Sequence, residues 1–270
     1  KRAFRGYSAA TLTVLVNAFA LDWYLPLLGV SSGYGEAVGA LGGFGVDDAA
    51  VLALTVVTIA GANVAFLRAL AVGDVSYVAP INKVVPVFVL PIEVVFLGQF
   101  LTPLQIGGVV VATAAVYIAN FQGGSLLGPL RRAASSRAAQ LALGSAMLFA
   151  VSDVAKRFAL QELAIPTALW VPLLFGGVMV VLLPSVLRSA RPPIEGDVAK
   201  LAVAGGFVAS GEYVTTLAFS LVPASIASPI INAQAIVAVV LGGIVLGERY
   251  FRVRVAAAVL AVAGVTMIAI

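Results

Sequence analysis

The 270 residues are 61% hydrophobic and only 10% charged, with a mean hydropathy of +1.10, which excludes a soluble globular domain. The chain has no Cys and no His, so disulfides, thiolate nucleophiles, imidazole metal sites and haem ligands fall away, and twelve carboxylates are left for any chemistry. The net charge of +4 and pI near 9.6 fit a membrane protein oriented by Lys and Arg rather than a nucleic-acid binder.

Uncharged stretches run over 49–67, 94–130, 138–152, 163–187, 213–247 and 255–270. They are apolar all round, unlike the alternating segments of a barrel, so their backbone amides must be satisfied within helices. Helices of about 20 residues cross a core ~30 Å thick. With Pro, Gly and charge clusters as punctuation, the predicted spans are 7–29, 49–72, 79–99, 102–121, 138–160, 166–188, 199–221, 227–247 and 251–270, nine in all. Residues 31–48, with six Gly and two Ser, are expected to be a flexible loop. A basic linker at 122–137 separates two halves, 1–121 and 138–270.

Sliding the chain by 149 residues lays Ser76 on Ser225, Pro80 on Pro229, Ile81 on Ile230, Leu97 on Leu246 and Gly98 on Gly247. The same offset leaves the helix at 138–160 without a counterpart, so a leading helix is expected before residue 1. The fold class expected is an all-α polytopic membrane protein with an inverted repeat, nine visible helices and five plus five in the intact molecule. Twelve basic residues fall on one side, from Lys1 to Arg254, against Lys156 and Arg157 on the other, with Arg68 and Lys83 at or within helices. The start of the chain is therefore predicted cytoplasmic and Ile270 outward, in a prokaryotic cytoplasmic membrane.

Ionisable groups inside spans cost about 2.5–3.5 kcal/mol each on insertion scales, so each is a functional candidate. Glu212 lies near the middle of its span beside Tyr213, and its repeat mate is Asn63. A carboxylate there can carry a proton or bind a substrate ammonium; the alternative is a structural carboxylate bonded to neighbouring helices. Lys83 is either an anion-binding group or a side chain that snorkels to headgroups. Asn82, Pro86 and Glu93 fall within ~40° on a helical wheel and form one polar stripe. Asp153, Lys156 and Arg157 stand at helical spacing and are expected to neutralise one another, with a coupling role for Asp153 as the alternative. Asp22, next to Trp23 and Tyr24, lines a cavity or belongs to an interfacial belt.

Pro80 and Pro229 are expected to head their helices, with Ser76, Asn82, Ser225, Ser228, Asn232 and Gln234 gathered around those two starts. Such starts can bind a carboxylate or phosphate; interhelical hydrogen bonding is the other use. Pro86 is a hinge candidate. The run Gly29-Val-Ser-Ser-Gly33 matches a hydrolase elbow, but no His exists to activate Ser31. Gly243 and Gly247 are read as helix packing.

The runs Gly73-Asp-Val-Ser-Tyr-Val-Ala-Pro-Ile-Asn-Lys83 and Leu97-Gly-Gln-Phe-Leu-Thr-Pro-Leu104, with Leu221-Val-Pro-Ala-Ser-Ile-Ala-Ser-Pro-Ile230 and Leu246-Gly-Glu-Arg249, resemble the EamA family of the drug/metabolite transporter superfamily. The resemblance covers essentially the whole chain. It implies a ten-helix transporter of small metabolites, often an exporter, with a central cavity between the third, fourth, eighth and ninth helices. Two departures stand out. Family members have both termini cytoplasmic, whereas the arginine count puts Ile270 outside, and Asn82-Lys83 replaces an apolar or Ser-rich run.

The function expected is secondary active export of a small polar or amphipathic metabolite by alternating access, with Glu212 as the group for proton coupling. The partners are that small molecule and the lipid bilayer, without nucleic acid, cofactor, metal or enzymatic activity. The alternatives are a sugar-phosphate or nucleotide-sugar antiporter, using Lys83 and Arg68 on phosphate, and a non-transporting scaffold or flippase subunit.

Overall fold

A computed structural model describes residues 4, 6–30, 33–98, 102–119, 135–189, 194, 196–232 and 251–270, and among them every regular element is a helix. In chain order these are α1 (Ala9–Val30), α2 (Gly33–Leu41), α3 (Val46–Val72), α4 (Val75–Asn82), α5 (Val85–Leu97) and α6 (Pro103–Ala119). Then come α7 (Arg137–Gln161), α8 (Thr167–Leu187), α9 (Val198–Leu221), α10 (Ala224–Asn232) and α11 (Phe251–Ala269). Six of them, α1, α3, α7, α8, α9 and α11, are long and apolar enough to cross a membrane, and α5 and α6 are shorter apolar helices. Phe96 and Phe207 are each 77% exposed and Val180 70%, large apolar side chains facing outward as a bilayer-embedded surface requires. The chain is an integral membrane protein.

The described residues divide into two compact units. The first takes residues up to Val64 and Ala155–Val222. Here α1 packs on both α8 and α9, and α2 packs on α8 and α1. Small residues set these approaches: a methyl group added at Gly205 would lie 2.6 Å from Phe19 Cβ, and one added at Gly177 would lie 2.6 Å from Val56 Cγ2. Val56 and Ala60 of α3 close a core with Ala10, Leu174, Val178 and Leu182. Trp23 Nε1 donates to the Ala202 carbonyl at 3.0 Å and adds a polar tie between α1 and α9.

The second unit takes Ala65–Val154 and Pro223–Ile270. Its most extensive helix pair is α6 with α11, and α10 packs between α5 and α11. Val78 and Ile81 of α4 join Ala69 at the end of α3 and Ala138, Ala139 and Ala142 of α7 in a second apolar cluster. Shifted by 149 residues, the bounds of α4 fall on those of α10 to within a residue, and those of α6 on those of α11.

Three expectations need correction. The predicted span 79–99 is broken: α4 ends at Asn82, Lys83 and Val84 form a turn, and α5 starts at Val85. Pro86 has no N–H to give the carbonyl four residues back, that of Asn82, so the helical ladder cannot run through. Pro86 accordingly sits in the first turn of α5, where a missing amide matters least. Pro80 and Pro229 do not head helices; each is the sixth residue of its own short helix. Asp74 starts α4 upstream in extended conformation, its carbonyl accepting from Tyr77 N at 3.1 Å and Val78 N at 2.9 Å, before Pro80 is reached. The third correction is the expected loop at 31–48, which contains α2: Gly33 and Ala37, four residues apart, turn inward and give the segment a helical face despite its glycines. The linker at 122–137 up to 134, Ser31, residues 99–101, and 233–250, with the greater part of the predicted span 227–247, Gly243 and the Leu246-Gly-Glu-Arg249 corner, lie outside the described residues.

Candidate functional site

Each unit holds its own buried polar centre. In the first unit, Glu212, Thr216 and Phe219 stand at i, i+4 and i+7 on α9 and so share a face. Lys156, near the end of α7, is only 2% exposed, and its Nζ lies 2.5 Å from Glu212 Oε1. Thr216 Oγ1 donates to the same oxygen at 3.1 Å, and the Phe219 ring centroid is 5.7 Å from the ammonium. A charge in so apolar a setting persists only with a counter-charge and further partners, and here a carboxylate and an aromatic face supply them.

One turn further on, Gln161 binds the end of α9. Its Nε2 donates to the Phe219 carbonyl at 2.8 Å and the Val222 carbonyl at 2.9 Å, while its Oε1 accepts from Arg157 Nε at 3.0 Å. Carbonyls in the last turn of a helix lack intrahelical donors, and the carboxamide provides them. Arg157 also pairs with Glu162 at 3.5 Å. Tyr213 is exposed, its ring 6.2 Å from that of buried Tyr24. Asn63 is partly buried on α3, and Asp22 is exposed on α1.

The expected mutual neutralisation of Asp153, Lys156 and Arg157 is replaced by partners on other turns and helices: Lys156 takes Glu212, and Arg157 takes Gln161 and Glu162. Three residues along a helix turn a side chain by about 60°, enough to give Asp153 and Lys156 different neighbours.

The centre of the second unit lies at the α4–α5 break. Asn82 is 1% exposed, and its Nδ2 donates to Ser145 Oγ at 2.9 Å and to the Ala142 carbonyl at 3.4 Å. Asp153 Oδ2 accepts from the hydroxyl of fully buried Ser228 at 3.1 Å. Lys83 is partly buried in the turn between α4 and α5. Pro86 and Glu93 are buried on α5, Glu93 fully, but the turn at Lys83 and Val84 interrupts the single stripe expected to join them to Asn82. Ser225 is buried on α10. Arg68 is exposed. Asn232 closes α10, and its side chain, like the side chain of Ser76 and the whole of Gln234, lies outside the described residues.

Sequence reasoning missed Thr216, Phe219 and Gln161, whose helical spacing from Glu212 and Arg157 was the available signal. It also missed Arg254 as a buried group. Arg254 is 5% exposed, its Nη1 lies 3.3 Å from Asp74 Oδ2, and its guanidinium stands 5.3 Å from the Tyr77 ring centroid.

Buried ion pairs of this kind open either when the carboxylate takes a proton or when a charged ligand competes for one partner, which is the chemistry of coupled solute movement. Comparison with known proteins gives the family. The model of the EamA-like transporter family matches residues 1–121 and 136–270. No curated protein matches the chain. Among solved structures, one crystal structure of a protein aligns over 98% of this chain and 88% of its own, with a TM-score of 0.64 at 15% identity, a likeness of fold.

Proposed function

Since the chain belongs to the EamA-like transporter family, within the drug/metabolite transporter superfamily, we propose that it is a secondary active exporter of a small polar or amphipathic metabolite. It works by alternating access, with two halves of opposite orientation in a prokaryotic cytoplasmic membrane and the start of the chain on the cytoplasmic side. The observation that carries the reading is the buried Lys156–Glu212 pair between two membrane-spanning helices, Glu212 within α9 and Lys156 toward the end of α7. A charged pair buried between spans is expensive to keep and marks a functional candidate. Protonation of Glu212 releases Lys156 and gives the transporter a charge to exchange during its cycle.

The test has two stages. Metabolites released by cells making the protein are compared with those of control cells, and any enriched compound is then followed in proteoliposomes with and without a proton gradient. Gradient-driven flux that persists as passive exchange in Glu212→Gln is the expected result. Absence of flux in the wild type overturns the transporter reading; flux indifferent to both the gradient and Glu212→Gln removes the coupling role.

A further inference from the structure

The first unit carries an open apolar groove on the outer side of α9. Lys200, Val203, Ala204 and Phe207 stand at i, i+3, i+4 and i+7 and so share one face of the helix. With Phe4 and Ala199 they line a groove of about 520 Å³ that is almost wholly apolar. That volume lies in the ~300–1,000 Å³ range of ligand pockets. Val203 is 60% and Phe207 77% exposed, so the groove opens onto the surface that the bilayer covers. From Lys200 to Phe207 the helix rises by about 10 Å, so the groove runs from the membrane boundary into the acyl layer, which suits a fatty chain and not a water-soluble ligand.

The polar end of the groove is held in place. Asp197 accepts from the Tyr7 hydroxyl at 3.2 Å and pairs with Lys200 at 2.6 Å, which keeps the ammonium at the rim. An ammonium has three N–H groups, of which Asp197 takes one. The Lys200 side chain is 55% exposed, so the remaining donors are open to a ligand. Ser8 Oγ lies 3.5 Å from Ser189 Oγ, which brings Arg188, exposed at the end of α8, to the same end of the unit. In sequence, residues 1–8 and 188–200 hold six Lys or Arg against two Asp or Glu. An apolar groove beneath a basic rim is complementary to a fatty chain beneath a negative headgroup.

We propose that this groove is a binding site for one phospholipid with an anionic headgroup, its phosphate on Lys200 and one acyl chain along Val203, Ala204 and Phe207. The inference is independent of what the protein transports. The rings of Phe4 and Tyr7 meet edge to face at 6.1 Å, so the residues ahead of α1 supply both a wall of the groove and the hydroxyl that orders its rim. A seated lipid therefore touches those residues and the first turns of α9 together, and stabilises the folded chain by mass action. A zwitterionic phospholipid has the same chains to place in the groove but no net charge for the basic rim to attract. Discrimination between the two lipids is the signature of the site.

The experiment uses the purified, delipidated full chain in detergent, with dioleoylphosphatidylglycerol as probe against dioleoylphosphatidylcholine, read as bound lipid by native mass spectrometry and as lipid-dependent Tm. The wild type is expected to retain one phosphatidylglycerol in preference to phosphatidylcholine. Lys200→Gln is expected to cut that preference about fivefold, whereas Arg252→Gln, the same change of charge at an exposed residue of α11, leaves it as it is. Val203→Trp fills the groove from a side chain that already faces outward, and is expected to abolish retention of both lipids. Where Val203→Trp lowers Tm without lipid, Phe207→Ala, which removes one wall, takes its place and is expected to weaken retention. Equal retention of the two lipids, equal effects of Lys200→Gln and Arg252→Gln, or retention unchanged by the groove substitutions each overturns the proposal. A wild-type dimer that dissociates in Val203→Trp would assign the groove to a second copy of the chain and overturns it as well.

Discussion

Gly108 on α6 and Gly264 on α11 meet backbone to backbone. A methyl group added at Gly264 would stand 2.5 Å from Ala112 N, and one added at Gly108 would stand 2.5 Å from the Gly264 carbonyl oxygen. Between apolar helices in a bilayer, close packing replaces the hydrophobic effect as the source of association, so this approach has to be kept short. Gly264→Val is expected to destabilise the fold by about 1–3 kcal/mol or more, seen as a lower Tm and loss of a monodisperse elution peak. Gly144, where an added methyl meets nothing within 4 Å, is the control: Gly144→Ala is expected to hold or raise Tm. Equal loss from the two substitutions would rule out the packing account.

The Lys156–Glu212 pair makes a different prediction, because removing one partner strands the other. Lys156→Met leaves the Glu212 carboxylate, 15% exposed, with only the Thr216 hydroxyl from its present partners. The expected cost is about 3–5 kcal/mol, as is that of Glu212→Leu, whereas the double substitution recovers most of the loss. A double-mutant cycle on thermal or denaturant unfolding measures the coupling. Additive losses would mean that the pair carries no interaction energy.

The long helices were legible because uncharged runs of membrane length admit little else: α1, α3, α7, α8, α9 and α11 fall within three residues of the predicted spans. The break between α4 and α5 was written in Pro86, but a proline within an apolar run also suits a kinked continuous helix, and the choice depends on Asn82 finding Ser145 on another helix. Glu212 was visible as a carboxylate inside a span. Its partner was not, since Lys156 precedes it by 56 residues and the local spacing rule pointed to Asp153. Side chains of α7 choose among neighbours that only the packed helices supply.

Gln161 holds the last turn of α9 by two carbonyls, and the chain leaves that turn at Pro223. Gln161→Leu removes both donors and leaves the carbonyls of Phe219 and Val222 without them, at an expected cost of about 1–3 kcal/mol. Because the bonds are local, the effect should concentrate in residues 218–222. Hydrogen exchange at Val222, whose amide now bonds the Ala218 carbonyl at 3.0 Å, should quicken more than exchange elsewhere in α9. Gln161→Glu should behave alike, since a carboxylate has nothing to donate. Exchange that speeds up uniformly along α9, or not at all, would remove the capping role.

At the start of α9, outside the spans, Asp197 joins Lys200 and Tyr7 and gives a pH dependence with a definite sign. The Lys200 ammonium, 2.6 Å away, holds the Asp197 carboxyl below its ordinary value of 3.8, helped by the Tyr7 hydroxyl. Loss of water contact, followed by the hydrogen bond to Asp197, raises the Tyr7 phenol above its ordinary 10.0. A depressed carboxyl contributes stability that is complete above its unfolded value, so the Asp197 contribution is lost as pH falls below 3.8. A raised phenol contributes below its unfolded value, so the Tyr7 contribution is lost as pH rises above 10.0. Thermal unfolding across pH should therefore show a plateau eroded at both ends, with the acid limb shallower in Asp197→Asn and the alkaline limb shallower in Tyr7→Phe. Lys200 is more than half exposed, so both changes should be small and should shrink further in high salt. An acid limb as steep in Asp197→Asn as in the wild type would assign the acid sensitivity to other carboxylates.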